Sequence, residues 1–370
     1  MFFFTAKKKV KNLWHNNGQL PIKVLVVRND GLGDFILTLP LISGIKKQCD
    51  NVEVYVMINK NLTALTTILN DIDGSIIDEG ILLKRHKDKF SKQELKVKRK
   101  QLLAEIQVYN FDLAILPYSE KCSAKIIKQA GIKLRAGSGR RSYSNLFNLK
   151  NFETRRSSGK SEFELNQNYL SIVKLINEYN HPTIISQVNN NIGTVTVKAN
   201  PIEKQIVIHP YKRSGTALTW SLDNYVNLVK KLLQQKHKII IIGDKEDEKI
   251  LNKNFKSLKQ KNNQISIRTN YSLRELVYFI ARVDLYIGNS SGPLHIAGLT
   301  GTAHIGFYPK DKVSSATRWQ TLPHDGTKNF LLSPRNNMQC IKCITDKCQF
   351  YNCINSIELK EVIKKVNELL

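Results

Sequence analysis

The chain has 370 residues, which is long for one hydrophobic core and sufficient for two domains of ordinary size. Hydrophobic residues make up 41% of it, yet no stretch reaches the roughly 18 consecutive apolar residues of a membrane span. Lysine and arginine number 57 against 31 aspartate and glutamate, a formal net charge of +26. No nucleic-acid-binding signature with interleaved aromatic residues accompanies that charge. The positive charge then has two remaining explanations. It either keeps the protein soluble, or it attracts the protein to an anionic membrane surface or an acidic lipid-linked substrate.

The first 20 residues form an N-terminal arm that is aromatic and then basic. Residues 2–4 are phenylalanines, residues 7–9 are lysines, and Trp14 follows. A secretory signal places its charges before its apolar run, so this order argues against one. Aromatic and basic residues together are typical of an interfacial anchor. We therefore expect a cytoplasmic protein, peripheral on the inner face of the cytoplasmic membrane.

The most informative stretch is residues 23–40. Its opening run of aliphatic residues is too short for a helix and predicts a buried parallel strand. Gly31 and Gly33 then permit a tight turn into an apolar helix from about Phe35. Asp34 follows the glycines at the carboxyl end of the strand, where ligands bind in open α/β sheets. A carboxylate there would repel a phosphate but suits a base that takes a proton from a hydroxyl. The alternative is that Asp34 only caps the helix.

The rest of the first domain, residues 21–185, alternates strands with helices. Strands are predicted over 52–58 and 112–116, and helices over 61–69, 121–130 and 162–179. Residues 84–100 are basic and polar, which indicates a solvated helix or loop. Residues 135–159 are rich in Gly, Ser and Arg and include Arg140 and Arg141. We interpret them as a flexible cationic segment that faces solvent or an acidic ligand.

A polar stretch at residues 189–191 marks a hinge, and the pattern restarts in a second domain, residues 200–338. Strands are predicted over 205–209, 238–242, 284–287 and 304–307, and helices over 222–233, 272–281 and 293–299. The helix from Ser272 opens with a capping box. Strands alternating with helices twice predict an α/β fold of two Rossmann-like, doubly wound domains facing across a cleft. A site would lie in that cleft.

Residues 288–295 join a predicted strand to a helix and suit an anion. Ser290 or Ser291 caps the helix, and Gly292 lets a ligand approach the backbone. Free backbone N–H groups at such a helix start bind anions with help from the helix dipole. His295, one turn later, is placed to donate to a phosphate. The alternatives are an ordinary cap and a structural histidine.

Two further turns of the second domain contain polar clusters. The loop after strand 205–209 holds Lys212, Arg213 and Ser214, which suit a diphosphate, although a solvated basic loop has the same composition. Asp247 follows strand 238–242, where one carboxylate commonly accepts from ribose hydroxyls; the alternative is the start of a helix. The third glycine of the dinucleotide-binding motif is missing after Gly31 and Gly33, and no P-loop occurs. Neither of these phosphate-binding sequence motifs is therefore present.

Residues 339–370 form a cysteine-rich segment followed by a C-terminal helix. Its four cysteines suit structural zinc or iron, although the wider spacing of the second pair leaves free thiols an equal alternative. Disulfides are disfavoured because the cytosol is reducing. The candidate ligands are Cys340, Cys343, Cys348 and Cys353.

With these motifs in this order, the chain resembles the ADP-heptose:lipopolysaccharide heptosyltransferase family, glycosyltransferase family 9, whose fold is GT-B. The resemblance rests on residues 24–40, 111–115, 132–137 and 284–301 and spans nearly the whole chain. It implies inverting transfer of heptose from a nucleotide-diphosphate sugar, ADP-heptose, to a hydroxyl of a lipid-linked, anionic oligosaccharide. No cofactor is required for that reaction, since fixed cations and backbone amides stabilise the leaving group.

The resemblance also implies residue roles. Asp34 matches the family's general base, Ser291, Gly292 and His295 match its diphosphate-binding helix start, and Asp247 matches its acid near the ribose. Other candidates come from the sequence itself, and those on the acceptor side are Arg28, Asn29, Arg140 and Arg141. The donor-side set comprises Lys212, Arg213, Ser214, Asp247, Ser290, Ser291, Gly292 and His295. Two departures stand out: Leu218 replaces the family's phosphate-binding lysine, and Ser290 replaces an acid or polar residue. The alternatives are an autotransporter-type protein heptosyltransferase and a catalytically impaired sugar-nucleotide-binding scaffold.

Overall fold

The computed structural model describes most of the chain, with gaps. The described residues are 10, 12–14, 20–83, 89–118, 120–155, 158–174, 203–211, 218–324, 326–334, 340, 344, 347–348, 350 and 352–370. The chain divides into two compact units, residues 1–187 and 188–370. The predicted hinge at residues 189–191 and most of the N-terminal arm lie outside the described residues.

The first unit is built on a sheet of six parallel strands in the order β3-β2-β1-β4-β5-β6. Residues 24–27 of the central strand are fully buried, as expected for a parallel strand covered on both faces. Because β1 pairs with both β2 and β4, the strand order reverses beside it, and a crevice opens there at the carboxyl ends. The strands are β1 Ile22–Val27, β2 Val52–Asn59, β3 Gly74–Asp78, β4 Leu113–Ile115, β5 Leu134–Ser138 and β6 Leu149–Asn151.

Helices connect these strands, and two of them begin with a capping box, at Ser91 and at Ser161. The helix from Ser91 covers part of the segment predicted as a solvated helix or loop. Its buried residues, Leu102 and Ile106, belong to the core of the first unit. The helices are α1 Leu32–Ile36, α2 Leu39–Gln48, α3 Thr63–Thr66, α4 Lys92–Val108, α5 Lys121–Gln129, α6 Glu162–Gln167 and α7 Tyr169–Ile172.

The interpretation of residues 135–159 as a flexible cationic segment is wrong. They contain most of β5 and all of β6, joined through a short 3-10 turn at Ser144–Leu146. The Arg135 guanidinium donates to the Leu146 carbonyl at 2.8 Å, and its backbone N–H donates to the Asn148 side chain at 2.8 Å. This arginine therefore holds the connection between two strands, a role that composition alone does not distinguish from ligand binding.

The second unit repeats the same topology, with six parallel strands in the order β12-β11-β10-β7-β8-β9. Its first strand again pairs with the second and the fourth, so this sheet has its own crevice between β7 and β10. The prediction of two Rossmann-like α/β domains is confirmed. The strands are β7 Gln205–His209, β8 Lys238–Ile242, β9 Ile265–Arg268, β10 Leu285–Asn289, β11 His304–Phe307 and β12 Asn329–Leu332.

The core of the second unit surrounds Trp220, whose ring stacks on Phe307 with centroids 4.4 Å apart. Val362 and Val366 of the last helix belong to the same core, so the end of the chain packs onto this domain. No described helix has the length and apolar character needed to cross a membrane. The helices are α8 Leu222–Gln234, α9 Glu248–Lys261, α10 Leu273–Ile280, α11 Gly292–Thr300, α12 Ala316–Trp319 and α13 Leu359–Leu369.

Candidate functional site

Asp34 lies at the crevice of the first sheet, in the first turn of α1. The helix begins at Leu32, and Asp34 makes no capping hydrogen bond, so the alternative that it caps a helix from Phe35 does not hold. Its Oδ1 accepts a hydrogen bond from Arg28 Nη2 at 2.8 Å, and its side chain is 27% exposed. No described residue donates to its Oδ2, which therefore has a lone pair available at a partly open position.

Gly31 leaves room for this carboxylate. Its backbone is extended, with φ −128° and ψ 166°, a conformation that any residue adopts. A Cβ built on Gly31, however, lies 2.7 Å from Asp34 Oδ2. The sequence suggested that glycine was needed for the turn, but the structure shows that it is needed for the space beside the candidate base.

Arg28, an acceptor-side candidate, is only 2% exposed. Its Nε donates to Asp30 at 2.9 Å, its Nη1 to Asn166 at 3.1 Å, and its Nη2 to Glu162 at 3.3 Å in addition to Asp34. Burial raises the pKa of the Asp30 carboxyl, although the charge of Arg28 opposes that shift. Arg28 is thus enclosed by acidic and amide groups, and it contacts the candidate base directly through Nη2. Its role towards the acceptor stays a prediction.

Asn29, another acceptor-side candidate, is also buried, with 2% exposure. Its side-chain amide donates to the Asp78 carboxylate. Asp78, fully buried at the end of β3, also accepts from the backbone N–H groups of Gly80 at 3.0 Å and Ile81 at 2.9 Å. Burial raises the pKa of Asp78, and these hydrogen bonds counteract it. Asn29 therefore ties the ends of two strands together.

The other two acceptor-side candidates are exposed. Arg140 donates through Nε to the Phe152 carbonyl. The Arg141 guanidinium lies 6.0 Å from the centroid of the Tyr118 ring, and the Arg28 guanidinium lies 5.7 Å from the same ring. Tyr118 follows β4 across the crevice from Asp34. Arg141 is thus an exposed cation beside the same ring as Arg28, which binds Asp34.

In the second unit, a hydrogen bond joins the two strands that flank the crevice. His209, at the end of β7, contacts Ser291 Oγ through Nδ1 at 3.2 Å. Ser291 stands at the N-cap position of α11, but its side chain bonds His209 and makes no capping bond. Burial lowers the pKa of His209 to about 4, with the nearby Asp247 charge opposing the shift. His209 is therefore neutral at pH 7. In the first turn of α11, Pro293 has no N–H and Leu294 donates to the Ser291 carbonyl at 3.1 Å, so Gly292 supplies the backbone N–H that the Ser291 side chain leaves uncapped.

The remaining donor-side candidates differ in their surroundings. Gly292 begins α11, as expected for a backbone anion site, and Ser290 is 8% exposed beside Tyr308. His295 is 3% exposed inside that helix, which favours its structural alternative. Asp247 is 7% exposed and accepts from the Asp244 backbone N–H at 2.8 Å, which favours the helix-start alternative. Lys212, Arg213 and Ser214 lie outside the described residues.

Sequence reasoning missed Asn289, the last residue of β10. Its amide donates to the Pro210 carbonyl at 2.8 Å and accepts from the Trp220 backbone N–H at 2.9 Å. It thereby contacts residues on both sides of segment 212–217, which lies outside the described residues. The available signal was an amide side chain inside an otherwise apolar strand, since a fully buried amide needs partners. Leu218, which replaces the family's lysine, packs against the second core.

The cysteine quartet is only partly described. Cys340, Cys348 and Cys353 are partly buried and form no disulfide among the described residues, and Cys343 lies outside them. Within the part of the chain that is described, no group of three or more metal-ligating side chains is found. Structural zinc or iron here stays a prediction, which elemental analysis of the purified protein tests.

Comparison with known proteins matches most of the chain to a protein family. The model of glycosyltransferase family 9 (heptosyltransferase) matches residues 99–353. A Haemophilus influenzae protein with a provisional description as a glycosyltransferase is 28% identical over 334 residues, which are 84% of this chain and 89% of that protein. Lipooligosaccharide heptosyltransferase 2 of Campylobacter jejuni is 24% identical over 172 residues, 45% of this chain and 51% of that protein.

Solved structures show the same fold. E. coli heptosyltransferase WaaC with ADP aligns with a TM-score of 0.72 at 14% identity, over 94% of this chain and 100% of that one. WaaC with ADP-2-deoxy-2-fluoro heptose gives a TM-score of 0.70 at 14% identity, over 94% and 99%. This likeness confirms the predicted GT-B class of fold.

Proposed function

Since this chain belongs to glycosyltransferase family 9, we propose that it transfers heptose from ADP-heptose to a lipid-linked acceptor. The acceptor atom is a hydroxyl of a lipopolysaccharide core or a related oligosaccharide, and the anomeric configuration inverts. Two likenesses support the choice of sugar: the Campylobacter jejuni relative is a lipooligosaccharide heptosyltransferase, and WaaC has been solved with ADP and with an ADP-heptose analogue.

One observation carries the proposed chemistry: Asp34 has one oxygen held by Arg28 and the other open beside Gly31. The acceptor hydroxyl gives its proton to Asp34 Oδ2 while its oxygen bonds to the anomeric carbon. The bond from that carbon to the donor diphosphate breaks on the opposite face, and ADP leaves with the electron pair. Asp34 then returns the proton to solvent.

The leaving diphosphate is stabilised at the start of α11. The backbone N–H of Gly292 and the helix dipole favour negative charge there, and neutral His209 binds the Ser291 side chain beside it. We assign Lys212, Arg213 and Ser214 to the same diphosphate, because their segment of the sequence lies between Pro210 and Trp220, which Asn289 binds beside the start of α11. Fixed cations and amides of this kind make the reaction possible without a metal ion.

On the acceptor side, we assign Arg141 to an anionic group of the oligosaccharide. Its guanidinium is exposed and lies over Tyr118, across the crevice from Asp34. Arginine pairs with carboxylate or phosphate through two parallel hydrogen bonds, which orient as well as attract. An acceptor held in this way presents its hydroxyl to Asp34.

A scaffold that binds the donor without turnover is the second candidate, and Leu218 favours it. The leucine packs against the core where the family carries a cation, so one diphosphate contact is missing. Both candidates predict donor binding, and only the first predicts release of ADP.

The experiment compares ADP-, GDP- and UDP-sugars by thermal shift and then measures ADP release with an acceptor-containing lipooligosaccharide fraction. We expect ADP-heptose alone to stabilise the protein, by about 2.7 kcal/mol at 100 times its dissociation constant. We also expect ADP release that depends on the acceptor. Stabilisation without release would support the scaffold, and stabilisation by only UDP- or GDP-sugars would refute the proposed donor.

A further inference from the structure

Glu162, the first residue of α6, is completely buried between two arginines. Its Oε1 lies 3.3 Å from Arg28 Nη2 and also contacts Arg155 Nη1. A buried carboxylate is strongly unfavourable unless it is paired and hydrogen-bonded. Glu162, 134 positions away from Arg28 in sequence, adds a third carboxylate to Asp30 and Asp34 around that arginine, and Asp34 is the most exposed of the three.

Arg155 fixes Glu162 in place. Besides Glu162, its guanidinium donates through Nη2 to the Pro117 carbonyl at 2.6 Å and to Asn166 Oδ1 at 3.1 Å. Asn166 in turn donates to the Leu37 carbonyl at 2.9 Å, just after α1. The helix that bears Glu162 is thereby tied to the end of β4 and to the helix that bears Asp34.

These contacts determine how Arg28 meets Asp34. Nε is engaged by Asp30, Nη1 by Asn166 and Glu162, and Nη2 by Glu162 and Asp34. A guanidinium prefers to bind one carboxylate with two parallel hydrogen bonds. Because Glu162 already accepts from both Nη1 and Nη2, Arg28 reaches Asp34 through Oδ1 alone.

We propose that Glu162 is a positioning residue for sugar transfer. By holding the Nη1 and Nη2 side of Arg28, it keeps Arg28 on Asp34 Oδ1 and leaves Asp34 Oδ2 for the acceptor hydroxyl, while Arg155 holds Glu162. The cluster has three carboxylates, Asp30, Asp34 and Glu162, for the two arginines. Without Glu162, Arg28 turns towards Asp34 and occupies both of its oxygens. This inference rests on the proposed role of Asp34 as the base.

The test is Glu162→Gln, which keeps the shape of the side chain and removes its charge. We expect kcat per folded molecule to fall by about 10- to 100-fold, because misplacing a reacting group by an ångström has that effect. The KM for the donor should stay within about threefold, since the donor contacts lie on the second domain. A purely structural role would lower the melting temperature and leave kcat per folded molecule unchanged.

Removing one partner of a buried ion pair sometimes prevents folding, so a second variant is needed. Arg155→Lys keeps the charge, but a single ammonium does not reproduce the planar fork that reaches Glu162, Pro117 and Asn166 together. We expect kcat to fall by about 3- to 10-fold. Arg135→Lys is the matched control, because Arg135 also binds backbone carbonyls of this unit but has no contact with the cluster.

The outcomes separate the inference from the proposed function. Reduced kcat in Glu162→Gln or Arg155→Lys, with the donor KM kept and Arg135→Lys unaffected, supports the positioning role. Wild-type kcat in every folded variant of Glu162 and Arg155 overturns it. If Asp34→Asn is slow in the same assay while those variants are not, only the positioning role fails. If Asp34→Asn is also fast, the proposed base fails with it.

Discussion

Asp34→Asn should fold and bind the nucleotide sugar normally, yet transfer heptose about 10²- to 10⁴-fold more slowly than the wild type. The asparagine oxygen still accepts from Arg28 Nη2, which Asp34 Oδ1 does at 2.8 Å. Arg28 also keeps Asp30 and Glu162, so the buried guanidinium is not left without an acid. The variant differs from the wild type at Oδ2, which becomes an amide nitrogen that cannot take a proton.

The measurement is the initial transfer rate at saturating donor, with donor affinity measured in parallel by calorimetry. Asp112→Asn serves as the control. Asp112 accepts from the Lys23 backbone N–H at 2.9 Å, at the amino end of the same strands, and is remote from the crevice. We expect that variant to transfer at the wild-type rate. A near wild-type rate for Asp34→Asn would mean that Asp34 is not the base.

Gly31→Ala should lower kcat by roughly 10- to 100-fold without unfolding the protein, because displacing a reacting group by an ångström has such an effect. The backbone of Gly31 is extended and accepts alanine without strain. The new Cβ, however, would lie 2.7 Å from Asp34 Oδ2, so the carboxylate must move while Arg28 holds its other oxygen.

The check is steady-state kinetics of Gly31→Ala, Asp34→Asn and the double variant, together with thermal unfolding. If the methyl group acts only through Asp34 Oδ2, the double variant will be no slower than Asp34→Asn, since coupled sites are not additive. If the fold-losses in kcat of the two single variants multiply in the double variant, Gly31 affects the site by a route other than Asp34 Oδ2. Unchanged kcat in a folded Gly31→Ala would show that Oδ2 has room to move.

Strong local patterns predicted much of the fold. β1, β7 and β8 each contain an unbroken aliphatic run, at residues 24–27, 206–208 and 239–242. The capping box at Ser272 opens α10 as predicted. β5 and β6 were not recognised, because they are short and carry glycine, arginine and asparagine. Their pairing beside β4 is a long-range effect, and intrinsic strand preference is weak compared with such packing.

The sequence predicted a site residue only where a chemically reactive side chain stands at the end of a predicted strand. Asp34 stands out because an acid directly follows two glycines at a strand end. Glu162 and Asn166 give no such signal, since their partner Arg28 is 134 and 138 residues away. The sequence also predicted that Arg28 and Asn29 contact the acceptor, because they are polar residues at the end of β1. In the structure both are buried, and that burial depends on residues that are distant in sequence and brought there by folding.

The stereochemistry of transfer tests the central claim most directly, that an oxygen activated by Asp34 displaces the diphosphate in one step. The anomeric configuration of the first-formed product is measured by proton NMR, starting from a donor of known configuration. One displacement from the opposite face predicts complete inversion. A product with retained configuration would contradict the account, because it requires a second displacement or attack from the same face, and Asp34 would not be acting as proposed.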